Sequence, residues 1–288
     1  MAVGSILPGA ANMGSTRSLR VLLLKITALF AAAFILLALS FAPDLSSQPS
    51  NVTYLDGHPG SGGYAPLLQA TTSSAASCRP GLSVEEIGLT GTGIFTWKLH
   101  NIEGGDAAAI ANKAVTSGFK FVLIMVANGP NAHGDPQLNA AVTQALQAAG
   151  IKIWGWHFVT GDDPEAEASV AIRQIQELGL DGYMIDAASE YEQAGKAQAA
   201  VTFMKVLREN LPDLPMGLSS YRYPSYHSTF PWAEFMCYVD VAMPQVYWEQ
   251  AHNPDVQLAR SVAEYSDLSL VGTVRPIVPT GSAYGTGG

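Results

Sequence analysis

Apolar and polar positions alternate in blocks along the chain from about residue 91 onward. Each apolar run, rich in β-branched and aromatic residues, is followed by a polar loop and then by an amphipathic segment. Runs that are apolar almost throughout are typical of strands buried on both faces, as in a parallel sheet. The pattern therefore predicts strands that alternate with helices. Seven such runs begin at Gly93, Phe119, Ile151, Asp181, Pro215, Val239 and Thr273.

The segments between the runs carry helix boundary signals. Asp135-Pro136, Asp163-Pro164 and Asn253-Pro254 each place a capping side chain before a proline at the first helical position. Glycines follow three of the amphipathic segments and are typical of helix C-termini. These glycines are Gly118, Gly150 and Gly179.

This regular alternation predicts an α/β fold, a (β/α)8 TIM-barrel-like parallel barrel. A doubly wound open sheet is the alternative, but no G-x-G-x-x-G phosphate loop follows a predicted strand. The sequence ends after the seventh run, so we expect the barrel to be truncated after its seventh strand. A genuine seven-strand variant stays open.

The N-terminal part of the chain predicts a membrane segment and a linker. Residues 26–42 carry no charge, and the apolar stretch 21–42 is interrupted only by Lys25, a length that can span a bilayer. We expect a cytoplasmic tail over 1–20, a transmembrane helix over 21–42, a Ser/Pro/Gly-rich linker over 43–90 and the barrel domain over 91–288. The helix is interpreted as a signal anchor, with a cleavable signal peptide as the alternative.

Composition and charge narrow the classes of partner. The chain has 288 residues, 48% hydrophobic and 14% charged, which is typical of a globular protein. Residues 43–288 carry 12 basic and 24 acidic residues, a net charge of −12. Such an acidic body predicts no nucleic-acid partner, because nucleic-acid binding needs clustered Lys and Arg.

The two cysteines and the other candidate ligands predict neither a metal nor a cofactor. Cys78 and Cys237 cannot form a four-cysteine zinc site. A disulfide between them is possible outside the cell, and a buried Cys237 thiol is the favoured alternative.

Candidate site residues follow the predicted strands, where barrel enzymes place their chemistry. Asp186 and Glu190 are the candidate catalytic carboxyl groups. Aromatic rings that stack on sugars, together with polar groups that bind hydroxyls, indicate a polysaccharide ligand. The candidate substrate-binding residues are Trp97, His157, Tyr221, Arg222, Gln245, Tyr247 and Trp248.

Three segments resemble known enzymes. IWGWHFVTGDDPEAEA, LGLDGYMIDAASEYE and DVAMPQVYW resemble strands three, four and six of TIM-barrel glycoside hydrolases. The nearest are the family 25 lysozymes, whose G-x-Y-H-F segment is similar to the residues 155–158, and more distantly the family 18 chitinases. The resemblance implies a barrel that hydrolyses a cell-wall or extracellular polysaccharide with carboxyl groups. The N-terminal apolar segment adds the expectation that the barrel lies outside the cytoplasm, anchored to the membrane, or secreted if the signal is cleaved.

The chain departs from these families at one position. They end strand four with D-x-E, whose Glu is the general acid; here Asp186 matches the Asp, but Ala188 replaces the Glu. If the chain is an enzyme, we expect Glu190 to donate the proton, with Asp186 ionised beside it. The alternative is a catalytically inactive carbohydrate-binding or surface interaction barrel.

Overall fold

The computed structural model describes residues 78–135, 138–248 and 251–282. Within them, six parallel strands form one sheet in the order β1-β2-β4-β5-β6-β7, and the short β3 pairs antiparallel with β2. The parallel α/β architecture expected from the sequence is confirmed as a six-stranded half-barrel. The strands are β1 Gly93–Thr96, β2 Phe121–Asn128, β3 Asn131–Ala132, β4 Lys152–Phe158, β5 Gly182–Asp186, β6 Met216–Tyr221 and β7 Val241–Gln245.

Helices follow the strands along the chain, most of them covering the outer face of the sheet. They are α1 Ala107–Thr116, α2 Ala140–Ala148, α3 Pro164–Leu178, α4 Lys196–Asn210, α5 Trp232–Met236, α6 Pro254–Tyr265 and α7 Leu268–Val271. Single 3-10 turns also occur in the loops, and the turn Ser189–Glu192 directly follows β5.

Side-chain alternation along the strands gives the sheet two buried faces. The outer face packs on the helices and contains residues such as Ile153, Tyr183 and Leu218. The inner, concave face carries a second apolar cluster that includes Leu123 and Trp154. Because side chains on a strand alternate between faces, a shift of one position moves a residue from one face to the other.

Residues 78–90 pack on the body although the sequence assigns them to the linker. Ile87 and Leu89 are almost fully buried in the inner cluster, where they join Phe121 and Val241 at the amino ends of their strands. These apolar side chains close the amino-terminal end of the concave face.

A disulfide joins Cys78 to Cys237, which lies just after α5. The preference for a buried Cys237 thiol is therefore wrong, and the alternative of a disulfide is correct. Nearby, Asp240 is fully buried and forms ion pairs with Arg79 and Arg208. This end of the sheet is held together by covalent and ionic contacts and carries a structural role.

Three other expectations differ from the structure or fall outside it. The seventh run forms no regular strand, and only Ile277 and Thr280 bridge to β7. The expected helix start at Asp135 is wrong, because α2 begins at Ala140 after the cap Asn139. The predicted span 21–42 lies outside the described residues, and none of the helices described is both long and apolar enough to cross a membrane.

Candidate functional site

A cavity of about 650 Å³ opens on the concave face of the sheet and extends from the amino ends of β1 and β2 to the carboxyl ends of β5 and β7. Strands from both sides of the half-barrel line it, and so does the segment 278–281 beyond β7. Ligand sites of parallel α/β folds occur at the carboxyl edge because several strand ends and their loops converge there. The polar and aromatic lining residues include Phe95, Trp156, Asp186, Ser219, Gln245 and Tyr247.

Asp186 and Gln245 meet at the centre of this edge. Asp186 ends β5 and Gln245 ends β7, so both side chains project from strand ends on the concave face. The Gln245 amide donates one hydrogen bond to Asp186 Oδ1 at 2.9 Å and a second to Ser219 Oγ at 3.1 Å. With both amide hydrogens used, Gln245 holds the carboxyl group of Asp186 in a fixed orientation.

The surroundings of Asp186 favour its protonated form. Burial raises the pKa of its carboxyl group to about 6; the hydrogen bond from Gln245 opposes the shift, and the charge of Glu190 adds to it. Desolvation disfavours the charged form of a carboxyl group. Asp186 is therefore mostly ionised at pH 7, as expected from the sequence, but it takes up a proton much closer to neutral pH than an ordinary aspartate does.

Glu190 lies in the 3-10 turn after β5, close enough for its charge to act on Asp186 and on Tyr221. Its Oε2 atom is buried and has no hydrogen-bond partner within the described residues. Glu190 does not belong to the described residues that line the cavity. Its carboxyl group therefore stands beside the cavity and is free to accept a hydrogen bond.

Tyr221 reaches the same carboxyl groups from the end of β6. Burial raises the pKa of its hydroxyl, and the charges of Glu192 and Glu190 raise it further. The Tyr221 ring stacks on His227 with ring centres 3.4 Å apart. His227 Nδ1 in turn lies 2.6 Å from Glu192 Oε1.

The candidates derived from the sequence omit the lining residues Phe95, Trp156 and Ser219. His227 is a fourth omission. It lies in the loop after β6 and belongs to no motif. Its one sequence signal is its place after a predicted strand end, on the same edge as the candidate carboxyl groups. The pairing with Glu192 also shows that this glutamate is held by the protein and is not a freely solvated charge.

Aromatic side chains form one wall of the cavity. Trp156 Nε1 donates a hydrogen bond to the carbonyl oxygen of Thr96 at 2.9 Å, which fixes the indole orientation. Phe95 packs edge-to-face against it, with centroids 6.3 Å apart. A ring that is fixed and half-exposed in this way can stack on the apolar face of a sugar.

The loop after β7 brings Tyr247 to the cavity and places Trp248 beside it. The Trp248 ring lies against Gly281, where an added Cβ would be 2.3 Å from it. Arg222 Nη1 donates to the Tyr247 carbonyl oxygen at 2.7 Å and also bonds Gln257 of α6. Arg222 therefore supports the loop that carries Tyr247 and does not itself line the cavity.

His157 is not brought to the cavity, which corrects its expected place in a shared mouth. Its side chain is fully buried on the helix-facing side of the sheet. Its Nε2 lies 2.8 Å from the Gly129 carbonyl oxygen, and its Nδ1 lies 2.6 Å from the Tyr183 hydroxyl. Because a carbonyl can only accept, Nε2 carries the hydrogen and Nδ1 accepts from Tyr183. Burial lowers the pKa of His157 to about 4, so the ring is neutral.

Trp97 also lies apart from the cavity. Its side chain is 57% exposed, and the Lys98 ammonium lies 4.2 Å from the ring centroid. The structure thus brings together Asp186, Glu190, Tyr221, Gln245 and Tyr247 of the sequence-derived candidates. No group of three or more His, Cys, Asp or Glu side chains in the described part of the chain is arranged to hold a metal ion.

Comparison with known proteins gives partial similarities of fold. No family model and no curated protein matches the chain. A family 39 glycoside hydrolase from Bacteroides cellulosilyticus matches with 12% identity and a TM-score of 0.43, over 55% of this chain and 38% of its own. A family 25 glycosyl hydrolase from Bacillus anthracis matches with 14% identity and a TM-score of 0.35, over 45% of this chain and 60% of its own. A chitinase from Chromobacterium violaceum matches with 13% identity and a TM-score of 0.47, over 66% of this chain and 68% of its own.

The chain thus spans little more than a third of the first of these proteins. At these identities and TM-scores the similarities carry no argument about activity. The site described above rests on the chain's own residues and their contacts.

Proposed function

We propose that this chain is a glycoside hydrolase-like protein that acts on a cell-wall or extracellular polysaccharide by carboxyl acid/base catalysis. The observation that carries the proposal is Asp186, a partly buried carboxyl group with its pKa raised to about 6, which ends a strand of the parallel sheet and lines the cavity. A general acid needs a pKa near the working pH. The strand motifs that resemble family 25 lysozymes support the same class.

Two carboxyl groups have to divide the work in such a reaction. Asp186 donates its proton to the glycosidic oxygen as the bond between that oxygen and the anomeric carbon breaks. Glu190 takes a proton from the attacking water, whose oxygen forms the new bond to the anomeric carbon. Glu190 is the carboxyl group whose charge acts on Asp186, which supports its choice as the second group.

Substrate binding falls to the remaining groups around the cavity. Trp156 and Phe95 offer aromatic faces to the apolar side of a sugar ring. Gln245 keeps the acid oriented through its two amide hydrogen bonds. Orientation matters because a misplaced acid loses much of the rate advantage of a bound substrate.

The experiment compares hydrolysis of peptidoglycan and chitin-type polymers by the full chain and its variants. Asp186→Asn and Glu190→Gln should each lower the rate by about 10²–10⁴-fold, the typical effect of losing an acid or a base. Glu192→Gln, which leaves both groups in place, and the exposed Asp213→Asn should lose far less. Full activity of Asp186→Asn would overturn the assignment of the acid.

Binding without turnover is the second candidate function, and one observation favours it. Among the described residues that line the cavity, Asp186 is the only one with a carboxyl group, and Ala188 stands where the related families have their acid. In that case the parent chain is inert in the hydrolysis experiment but still binds the polymer. Trp156→Leu should then weaken binding, because it removes the aromatic wall.

We also propose that the folded body lies outside the cytoplasm, tethered by residues 21–42 or secreted. The Cys78–Cys237 disulfide supports this, because such bonds persist in oxidising compartments. When the cells that naturally make this chain are lysed directly into denaturant, the chain should contain no thiol that reacts with an alkylating reagent. Two reactive thiols per chain would contradict the proposed location.

A further inference from the structure

The lining of the cavity carries negative charge and, among the described residues, has no basic side chain to balance it. Asp186 is the only charged residue in its lining within residues 78–135, 138–248 and 251–282, and that lining has no Lys, Arg or His. The neighbouring charge that acts on Asp186 is another carboxyl group, Glu190. An anionic ligand would meet repulsion here and find no counter-charge.

The walls of the same cavity are aromatic. Phe95, Phe121, Trp156 and Tyr247 all line it, and Phe95 of β1 packs edge-to-face against Trp156 of β4. The faces of aromatic rings carry partial negative charge and attract cations, more strongly when water is excluded. A carboxylate among such rings is the arrangement that favours an ammonium group.

We propose that the cavity selects a saccharide with a free ammonium group, of the glucosamine type, over its acetylated and acidic counterparts. The inference rests on the proposed function, because it names the substrate class of that site. It concerns the form of the site in which Asp186 is ionised, which dominates at pH 7, whereas the hydrolysis proposed above uses the neutral acid, which dominates below pH 6. The ammonium group donates to the Asp186 carboxylate and lies against the rings of Phe95 and Trp156. The sugar hydroxyls are left to the polar groups Ser219 and Gln245.

The electrostatics of Asp186 give this preference a pH dependence. Burial raises the pKa of its carboxyl group to about 6, so at pH 7 most molecules hold the carboxylate and at pH 5 most hold the neutral acid. A cation lowers the free energy of the carboxylate and gains little from the acid. The side chains around Asp186 are Gln245, Ser219 and Glu190, and of these only Glu190 is ionisable.

Calorimetric binding of three tetrasaccharides tests the proposal. They are the tetramers of glucosamine, N-acetylglucosamine and galacturonate, each titrated into the full chain at about pH 7 and about pH 5. At pH 7 the glucosamine tetramer should bind at least about tenfold more tightly than the acetylated one, as expected for a charge-assisted hydrogen bond. The galacturonate tetramer should bind most weakly, and the preference should shrink at pH 5.

Variants separate the local effect from the overall negative charge. Asp186→Asn should remove the preference, while Asp213→Asn, an equal charge change at an exposed position after α4, should keep it. Phe95→Leu, which stays apolar but removes a ring, should weaken glucosamine binding more than acetylated binding.

The outcomes distinguish this inference from the function it deepens. Equal or tighter binding of the acetylated tetramer, or a preference that survives in Asp186→Asn, would overturn the inference and leave the hydrolase proposal standing. If no tetramer binds and no polymer is cleaved, both the inference and the proposed function are overturned.

Discussion

At the scale of single residues, position could be predicted from the sequence but protonation could not. Asp186 and Gln245 end separate predicted strands, and parallel strands share one carboxyl edge, so their meeting was expected and is observed. Which acid keeps its proton depends on burial. Other walls of the cavity that Asp186 lines come from β1 and from residues 278–281, which are far away in the sequence.

The first prediction concerns the cost of keeping Asp186 buried. Its folded-state pKa is raised from 3.8 to about 6, so its stabilising contribution is complete below pH 3.8 and is lost as pH rises through 6. Asp186→Asn should therefore raise the free energy of unfolding at pH 7.5 by as much as about 3 kcal/mol. Urea unfolding measures this, with Asp213→Asn as the exposed control.

The higher free energy of unfolding of Asp186→Asn should disappear below pH 4, where the wild-type carboxyl group becomes protonated in both the folded and the unfolded chain. A variant that is no more stable than the wild type at pH 7.5 would show that the carboxyl group is well solvated. A substitution that removes a polar group and stabilises the folded chain is expected at a residue that is retained for function.

At the scale of elements, local signals succeed where no distant partner competes for the same side chain. Asp163 caps α3 as expected, and its carboxyl group accepts from the Ala166 amide at 3.1 Å. Asp135 carries the same Asp-Pro signal, but it accepts instead from the Leu99 amide at 2.6 Å, 36 positions away. Asn139 caps α2 in its place. The sequence cannot rank two capping residues when a tertiary contact decides.

The face on which a strand residue lies is a second limit at this scale. His157 and Trp156 are neighbours on β4, and only Trp156 faces the cavity. Because side chains alternate, one position decides between a ligand-binding surface and the helix-packed core. A sequence motif that contains both residues does not indicate which of the two side chains points to the concave face.

The second prediction tests the cap of α3. Asp163→Ala removes the acceptor at the helix start and should lower the free energy of unfolding by about 1 kcal/mol. For a body of this size the melting temperature should fall by about 2–4 °C. Glu165→Ala, an exposed change in the same helical turn, is the matched control. Equal melting temperatures for both variants would argue against the cap.

At the scale of the whole molecule, the two buried titratable groups on opposite faces of the sheet act in opposite directions with pH. Burial lowers the pKa of His157 from 6.5 to about 4, so its contribution is complete above pH 6.5 and is lost as pH falls towards 4. Asp186 gains stability over nearly the same interval as it takes up its proton. The two effects largely cancel in the wild-type chain.

The third prediction follows from this cancellation. Between pH 6.5 and pH 4 the free energy of unfolding of Asp186→Asn should fall by about 3 kcal/mol, because only the His157 dependence remains in the variant. The free energy of unfolding of the wild type should stay nearly constant over the same interval. Adding His157→Gln, which keeps a donor for the Gly129 carbonyl oxygen but cannot take up a proton in this range, should flatten the curve. A double variant as acid-sensitive as Asp186→Asn would remove His157 as the cause.

The ends of the described body were the least predictable part of the whole fold. Residues 78–90 have the composition of a linker. In the structure, however, Ile87 and Leu89 are buried in a cluster with side chains of β2 and β7, and Cys78 forms a disulfide with Cys237. The run from Thr273 looks like a strand, yet it only bridges β7 at two residues. Both outcomes depend on contacts with distant parts of the chain, which local composition and periodicity do not encode.

Asp186 is a partly buried carboxyl group on the wall of the cavity, and its raised pKa brings proton uptake close to neutral pH. An NMR titration of its side-chain carboxyl carbon in the full chain measures this directly. We expect a midpoint of about 6, well above the ordinary aspartate value of about 4. A midpoint at or below that ordinary value would show that the surroundings do not favour the protonated form, and would overturn the roles proposed for Asp186.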